Sequence, residues 1–191
     1  MAHVYCAGPL FNEAERREMS DVARVLEAAG HTTFLPHRDG LELAQLLPEL
    51  QQIAETPAAA ETILQRAIFS LDVFQLLTRA DAVVANLNGR VPDEGTVIEA
   101  ALAWLAGKAV VLYKNDARTV LHGADHPMLL PLGDVRVVRD VDELPRIVGQ
   151  ALDAERKDRV PNVLEAGQRI AEACQPSRRG LASALLKLAR A

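Results

Sequence analysis

Hydrophobic positions along the chain alternate between short continuous runs and longer stretches with helical spacing. The short runs predict strands and the spaced stretches predict helices. Strands that alternate with helices indicate a parallel sheet with helices on both faces. We therefore expect an α/β fold, a flavodoxin-like three-layer arrangement with a five-stranded, mainly parallel sheet of order 2-1-3-4-5. The strands are predicted at residues 3–7, 32–35, 82–87, 109–113 and 135–138.

Capping residues set the boundaries of the predicted helices. Asn12, with Glu15 three positions later, forms a start like a capping box, and Gly30 is a typical helix end. Pro57 predicts the start of a long helix that runs to about residue 79. We expect a core domain at 1–158 and a C-terminal helical extension at 159–191. Other helices are predicted at 41–53, after Gly95, and at 142–157, 161–174 and 177–190, and a polar loop at 37–40.

One carboxylate interrupts the most apolar of the predicted helices. Glu99 is the only ionisable residue between Glu94 and Lys108, and its neighbours are apolar or small. A helix that is apolar on all sides is typical of a buried helix. A buried carboxylate must be paired, protonated or used in chemistry, because an unpaired buried charge is too costly to keep. Glu99 is therefore a candidate nucleophile or acid/base group.

The order of the strands predicts where this chemistry lies. In open parallel sheets, ligands bind beyond the carboxyl ends of the strands, where the strand order reverses. The loops at 8–12, 36–40, 86–96 and 113–118 should therefore surround one site, with Glu99 in the second turn of the helix entering it. The positive end of that helix dipole favours an ionised carboxylate. An ionised, poorly solvated carboxylate suits nucleophilic attack.

Two further carboxylates belong near this site. Asp93 lies in the loop six residues before Glu99, and Asp72 lies on an apolar stripe of its predicted helix. Structural roles stay open for all three, because Asp93 could cap a helix, Asp72 could accept hydrogen bonds from backbone amides, and Glu99 could pair with an arginine such as Arg118. A nucleophilic carboxylate together with an acid/base carboxylate is the arrangement of retaining glycosyl transfer.

Composition and charge argue against several other functions. A net charge of −5 and an aromatic content of 4% argue against a nucleic-acid binder. Cys6 and Cys174 give neither a disulfide framework nor a zinc spacing. Without a membrane-length apolar run or a signal peptide, we expect a cytoplasmic protein that binds no membrane. The basic stretch after Pro176 predicts a solvated helix face or a subunit contact in preference to a membrane-binding tail.

Motifs within residues 3–130 resemble the nucleoside 2-deoxyribosyltransferase family. Residues 5–11, YCAGPLF, are similar to the Y-x-A-G-P-x-F opening of that family. Residues 93–99, DEGTVIE, are similar to its D-x-G-T-x-x-E segment. Their order and spacing together carry the resemblance. Further matches are the G-K pair at 107–108, Tyr113, the D-x-R pattern at 116–118, and the acids Asp72 and Asp81.

The resemblance implies a role for each candidate catalytic residue. Glu99 would attack C1′ of a 2′-deoxynucleoside and hold the deoxyribosyl group as an ester. Tyr5 would orient that carboxylate, Asp93 would contact the base and donate a proton to it, and Asp72 would bind the sugar or base region. A second base would then take the sugar, a ping-pong exchange with retained configuration. The partners would be 2′-deoxynucleosides and free nucleobases, and no cofactor or metal is required.

The resemblance also implies substrate-binding residues and an assembly. Gly8 and Phe11 would line the base pocket. The family completes its site from a neighbouring subunit with an N-x-M segment near the 5′-hydroxyl, so we expect a homo-oligomer with shared active sites. Here the matching residues 126–128 have histidine in place of asparagine, a departure that concerns recognition of the 5′ group. The predicted substrate-binding residues are Gly8, Phe11, Asp39, Gly95, His126 and Met128.

Two alternative functions stay open. Related enzymes that hydrolyse nucleoside 5′-monophosphates hold the phosphate with serines, and neither loop that would carry them, 8–9 or 92–95, contains a serine. That favours nucleosides, although His37, Arg38 and His126 could meet a phosphate. The alternative of another class is a non-catalytic nucleotide-sensing module, since fold alone does not decide function. The intact set of candidate catalytic residues argues against it.

Overall fold

A four-stranded parallel sheet forms the centre of the chain. The computed structural model describes residues 1–89, 91–116 and 125–173. The chain divides into two compact units, residues 1–154 and 155–191. The first unit contains the sheet, whose strand order is β2-β1-β3-β4. The strands are β1 (His3–Ala7), β2 (Thr32–Phe34), β3 (Ala82–Asn86) and β4 (Ala109–Tyr113).

Helices follow these strands along the chain, and the last of them, α7, belongs to the second unit. The long helix α4 continues as a π-helical turn at Gln75–Arg79, and a 3₁₀ turn at Val141–Glu143 precedes α6. A further 3₁₀ turn lies at Leu130–Leu132. The helices are α1 (Glu13–Ala28), α2 (Pro36–Asp39), α3 (Leu43–Ile53), α4 (Pro57–Phe74), α5 (Glu94–Leu105), α6 (Leu144–Asp153) and α7 (Arg159–Ala173).

The strands are buried because helices cover both faces of the sheet. β3 and β4 are buried at every position, as their continuous apolar runs predict. On one face, α1 and α6 pack against side chains such as Val84 and Val111. On the other face, α5 and the π-helical turn pack against side chains that include Tyr5 and Val110. The predicted α/β fold with a parallel sheet is confirmed, and it is consistent with a flavodoxin-like arrangement.

The predicted fifth strand at 135–138 is wrong for the described part of the chain. Val138 makes only an isolated parallel bridge to Tyr113 beside β4. The Asp134 amide donates to the Val110 carbonyl at 2.9 Å, and the Val138 amide donates to the Leu112 carbonyl at 2.8 Å. Between these two hydrogen bonds the segment advances by four positions while β4 advances by two, which no regular ladder allows. The segment bulges away from the sheet edge between its two attachment points.

Capping residues act largely as the sequence predicts. Asn12 and Glu15 form the capping box of α1, and Gly30 follows its end with a φ of 87°. The Thr56 side chain accepts a hydrogen bond from the Ala59 amide at the start of α4. These groups satisfy backbone donors and acceptors that a helix end leaves without partners.

The polar segment at 37–40, predicted to be a loop, instead contains the single helical turn α2. Pro36 occupies the first helical position, where its fixed φ favours the helix. The Asp39 carboxylate accepts a hydrogen bond from the Leu35 amide at 2.9 Å. Gly40 ends the turn, and a Cβ there would lie 2.5 Å from the Pro36 carbonyl oxygen. Local capping thus makes a helix of a segment that has no apolar periodicity.

The helix α5 is buried on one side only, so the prediction of a helix buried all round is wrong. Its fully buried residues are Thr96, Ala100 and Ala103. Ile98 and Leu105 are 56% and 62% exposed. The helix lies in an outer layer, and the sheet covers only the face that turns towards it. The apolar residues of the opposite face are not covered by the described part of this chain.

The C-terminal region is described only in part. The helix predicted at 161–174 corresponds to α7, whereas the one predicted at 177–190 lies outside the described residues, as does Arg118. The boundary predicted between residues 158 and 159 stays a prediction. None of the described helices combines the length and apolar character needed to cross a membrane.

Candidate active site

A hydrogen bond between strand and helix forms the centre of the site. Tyr5, the third residue of β1, is fully buried, and its ring stacks on Phe34 of β2 with 5.4 Å between centroids. Its hydroxyl donates to Oε1 of Glu99 at 2.6 Å. Glu99 lies in the second turn of α5, which packs on this face of the sheet. The packing of both elements therefore fixes the position of one carboxylate oxygen, and Oε2 is left for other partners.

A cavity of about 510 Å³ opens beside Glu99. Its wall includes five more of the predicted site residues, namely Gly8, Phe11, Asp72, Asp93 and Gly95. A smaller apolar cavity of about 380 Å³ shares Asp72, Gly95 and Glu99 with it. The structure thus brings the candidate nucleophile, two further carboxylates and the predicted base-pocket residues together.

The glycine at position 8 is required by close packing. A Cβ on Gly8 would lie 2.2 Å from the Sδ atom of Met19, which is fully buried under the loop. A side chain here would displace that core residue. Glycine therefore lets the loop after β1 lie close to α1 and form part of the cavity wall.

Asp93 caps the helix that carries Glu99. Its Oδ2 atom accepts hydrogen bonds from the Thr96 amide at 2.7 Å and from the Thr96 hydroxyl at 2.9 Å. A Cβ on Gly95 would lie 3.1 Å from the same oxygen, so glycine leaves room for this turn. The Oδ1 atom makes no hydrogen bond to any described residue. Asp93 therefore has the structural role left open by the sequence and still offers one oxygen to a ligand.

Burial determines the protonation of these groups. Burial raises the pKa of Glu99 to about 7, the Tyr5 hydrogen bond acts in the opposite direction, and the charges of Asp72 and Asp93 raise it further. The helix dipole alone predicts an ionised Glu99, but burial outweighs the dipole. With a pKa of about 7, Glu99 is protonated in about half of the molecules near neutral pH. Burial also raises the pKa of Asp72, to about 6. The pKa of Tyr5 is raised above its usual range, again mainly by burial, so Tyr5 remains a neutral donor.

A network of asparagines ties together the loops after β3 and β4. Oδ1 of Asn88 accepts from the amides of Asn115 and Asp116, both at 3.0 Å. The Asp116 carboxylate accepts in turn from the Gly89 amide at 3.1 Å. The Asn115 side chain donates to the Tyr113 hydroxyl at 2.7 Å. The sequence predicted Asn88 only as part of a loop. In the structure, Asn88 ties the segment that leads to Asp93 to the loop after β4.

Three predicted substrate residues lie elsewhere. The Asp39 carboxylate accepts from the Leu35 amide and from Arg38, and it does not line the cavity. His126 and Met128 line a separate apolar cavity of about 600 Å³. Asp81 accepts from the His3 amide at 2.8 Å, at the start of β1 and therefore at the opposite edge of the sheet from the cavity.

Sequence reasoning missed three charged residues in the cavity wall, Arg16, Glu42 and Glu94, and considered His37 there only for phosphate. Arg16 follows the first loop by one helical turn, and Glu42 follows the second, so closeness to predicted site loops was the available signal. Among the residues that the structure describes, no group of three or more His, Cys, Asp or Glu side chains could hold a metal ion.

A family model and several solved structures match this chain. The family model of nucleoside 2-deoxyribosyltransferase matches residues 4–164. No curated protein matches the chain in sequence.

Solved structures match this chain at low sequence identity. A conserved protein from Enterococcus faecalis V583 is 21% identical, with a TM-score of 0.58 over 78% of this chain and 98% of that one. A 2-deoxyribosyltransferase from Bacillus psychrosaccharolyticus is 22% identical, with a TM-score of 0.57 over 81% of this chain and 98% of that one. A CMP N-glycosidase from Clostridium botulinum is 16% identical, with a TM-score of 0.46 over 78% of this chain and 98% of that one.

The burial of Glu99 should be measurable as pH-dependent stability. A carboxyl whose pKa is raised on folding favours the folded state while it is protonated. This contribution is complete below the ordinary pKa of 4.5 and is lost as the pH rises through about 7. Relative to Glu99→Gln, the wild type should therefore lose on the order of 3 kcal/mol of unfolding free energy between about pH 4 and pH 8.

Urea unfolding across this pH range measures the difference. Glu61→Gln, an exposed acid on α4, is the control and should follow the wild type at every pH. A constant difference between wild type and Glu99→Gln would show that Glu99 keeps its ordinary pKa in the folded protein.

Proposed function

Because the chain belongs to the nucleoside 2-deoxyribosyltransferase family, we propose that it transfers a 2-deoxyribosyl group between nucleobases. The observation that carries this proposal is the 2.6 Å hydrogen bond from the Tyr5 hydroxyl to Glu99. It holds a carboxylate at the wall of a cavity that two further carboxylates share. The partners are 2′-deoxynucleosides and free nucleobases, without a nucleic-acid polymer or a membrane.

The first half-reaction forms an ester on Glu99. Oε2 of the ionised carboxylate attacks C1′ of the nucleoside, and the bond from C1′ to the base nitrogen breaks. The electron pair of that bond stays with the base, which takes a proton from Asp93 through its Oδ1 atom. The transition state resembles an oxocarbenium ion, which the surrounding carboxylates stabilise by their negative charge.

The second half-reaction returns the carboxylate. A nitrogen of the incoming base attacks C1′ and passes its proton to the Asp93 carboxylate. The ester bond breaks, and its electron pair returns to Glu99. Two inversions at C1′ retain the configuration. Tyr5 stays protonated throughout and orients the carboxylate, while Asp72 binds the sugar or base region.

Hydrolysis is the alternative outcome of the same first step. Water at C1′ in place of a base would release the sugar, and the protein would then be an N-glycosidase. The two activities share Glu99 and differ only in the acceptor. A sensing module, the alternative of another class, would need neither an aligned carboxylate nor a tyrosine that orients it.

The uncovered face of α5 supports a shared active site. Ile98, which is 56% exposed, lines both the small cavity beside Glu99 and the separate cavity of His126 and Met128. Phe69 and Met128, 64% and 77% exposed, extend this apolar surface on either side. An apolar surface of this kind typically marks an interaction site. We propose that a second copy covers it and brings His126 and Met128 to the sugar, and that the extension at 159–191 adds a further contact.

Replacing the nucleophile should abolish exchange. The experiment incubates the protein with deoxyinosine, with and without free adenine, and measures deoxyadenosine and hypoxanthine. The wild type should form deoxyadenosine, and Glu99→Gln should form it at least about a thousandfold more slowly, because an amide is a poor nucleophile. Glu61→Gln should match the wild type. Undiminished exchange by Glu99→Gln would exclude the nucleophile. Release of hypoxanthine without deoxyadenosine, and without deoxyguanosine when guanine replaces adenine, would assign hydrolysis.

Mixed oligomers should regain activity if the active site is shared. Glu99→Gln lacks the nucleophile, and a double variant His126→Ala, Met128→Ala lacks the segment donated to the neighbour. The two variants are co-expressed, and mixed oligomers are purified through two different tags. In a mixed oligomer, the double variant supplies Glu99 and the Glu99→Gln chain supplies His126 and Met128, so some sites have neither defect. The mixed oligomer should therefore exceed both parents in exchange rate. An activity no higher than that of the double variant would show that each chain builds its own site.

A further inference from the structure

A second polar group lies in the wall of the cavity beside Glu99. It comprises Arg16 of α1, His37 of α2 and Glu42, which precedes α3. The Arg16 guanidinium donates through Nε to the Leu10 carbonyl at 2.9 Å and makes no ion pair within the described ranges. Glu42 occupies the N-cap position of α3, but its side chain accepts no capping hydrogen bond. Local structure therefore accounts for only one of the nitrogens of Arg16 and not for the Glu42 carboxylate.

His37 lies close to both charged groups. Its pKa is lowered, first by burial, while the charge of Glu42 raises it and the charge of Arg16 lowers it. The imidazole is therefore neutral near pH 7. Its Nδ1 atom is buried and has no hydrogen-bond partner among the described residues. A buried polar atom without a partner is costly, and a ligand in the cavity would remove that cost.

The charge of the cavity restricts which ligand this group binds. Among the described residues of this wall, Arg16 is the one positive charge, whereas several carboxylates line it. A phosphomonoester carries nearly two negative charges at neutral pH and would be repelled by them. A neutral ligand with hydrogen-bond acceptors and donors fits these walls better. The carboxylates of the wall are Glu42, Asp72, Asp93, Glu94 and Glu99.

We propose that Arg16 and Glu42 select a 6-oxopurine as the base of the nucleoside, namely hypoxanthine or guanine. The assignment rests on the proposed function, because it names the base that the same site accepts. A guanidinium donates two parallel hydrogen bonds to adjacent acceptors, which 6-oxopurines offer at O6 and N7. A carboxylate accepts from their N1–H group.

Adenine has the opposite pattern at two of these three positions. It carries an amino donor where a 6-oxopurine has O6, and an acceptor where a 6-oxopurine has N1–H. It would therefore set donor against donor at Arg16 and acceptor against acceptor at Glu42. Uracil and thymine lack the adjacent pair of acceptors at O6 and N7. His37 supplies one further hydrogen-bonding nitrogen next to this pair.

The test compares two deoxynucleosides as donors of the sugar, with the same acceptor base in both assays. The ratio of kcat/KM for deoxyinosine to kcat/KM for deoxyadenosine should be at least about ten in the wild type. In Arg16→Ala the ratio should fall to about one, through loss of deoxyinosine turnover. Glu42→Gln should lower the ratio in the same way. Arg17→Ala is the matched control, because Arg17 is the next arginine on α1, lies outside the cavity and pairs with Glu13 on the surface.

Each other outcome overturns the assignment. If Arg16→Ala lowered kcat/KM equally for deoxyinosine and deoxyadenosine, Arg16 would only hold the Leu10 carbonyl and its loop. The 5′-monophosphate of deoxyinosine provides a further arm, and a selective loss of its turnover in Arg16→Ala would assign Arg16 to phosphate binding. A wild-type ratio near one would exclude selection of a 6-oxopurine. Absence of turnover with every donor in the wild type would overturn the proposed function, and this assignment with it.

Discussion

The hydrogen bond between Tyr5 and Glu99 joins the central strand pair to the helix that covers it. Glu99 is partly buried, and a carboxyl group that loses water without gaining a partner is destabilising, typically by several kcal/mol. Tyr5 provides that partner from β1, which lies between β2 and β3. Stacking on Phe34 fixes the ring, and packing of α5 on the sheet fixes the carboxyl. The fold thus holds the Glu99 carboxyl group at a defined position at the carboxyl edge of the sheet.

The same burial sets the chemistry of the proposed site. Two effects act in opposite directions on Glu99, because loss of water favours its protonated form and the Tyr5 hydroxyl favours its ionised form. Their balance leaves the pKa of Glu99 at about 7. Such a carboxylate is ionised often enough to attack and is more nucleophilic than a solvated one. The neighbouring acids raise its pKa in the free enzyme and would stabilise positive charge at C1′ in the transition state.

Features that depend on local sequence could be predicted. The capping box at Asn12 and the left-handed Gly30 follow from single residues, and the apolar runs identify the four strands. The closeness of Asp93 to Glu99 could be expected because parallel strands bring their following loops to one edge, whereas Tyr5 was expected there only from the family motif. The motif also indicated these residues, while the cap that Asp93 forms on α5 was correctly left as an alternative.

Features that depend on tertiary contacts could not be predicted. Whether residues 135–138 form a strand depends on the bulge after Asp134, which apolar character does not reveal. The helix α5 looks buried in sequence because its outer face is apolar, yet no described part of this chain covers that face. Arg16 and Glu42 lie on separate elements without a shared motif, and only the cavity brings them together.

Trapping the covalent intermediate would test the central claim most directly. The protein is mixed with a deoxynucleoside without a free acceptor base, quenched with acid, digested and analysed by mass spectrometry. We predict one added deoxyribosyl group on the tryptic peptide 91–108, located at Glu99 by fragmentation and lost when a free base is added before the quench. An unmodified Glu99 in a protein that exchanges bases under the same conditions, or a deoxyribosyl group on another carboxylate, would contradict the account.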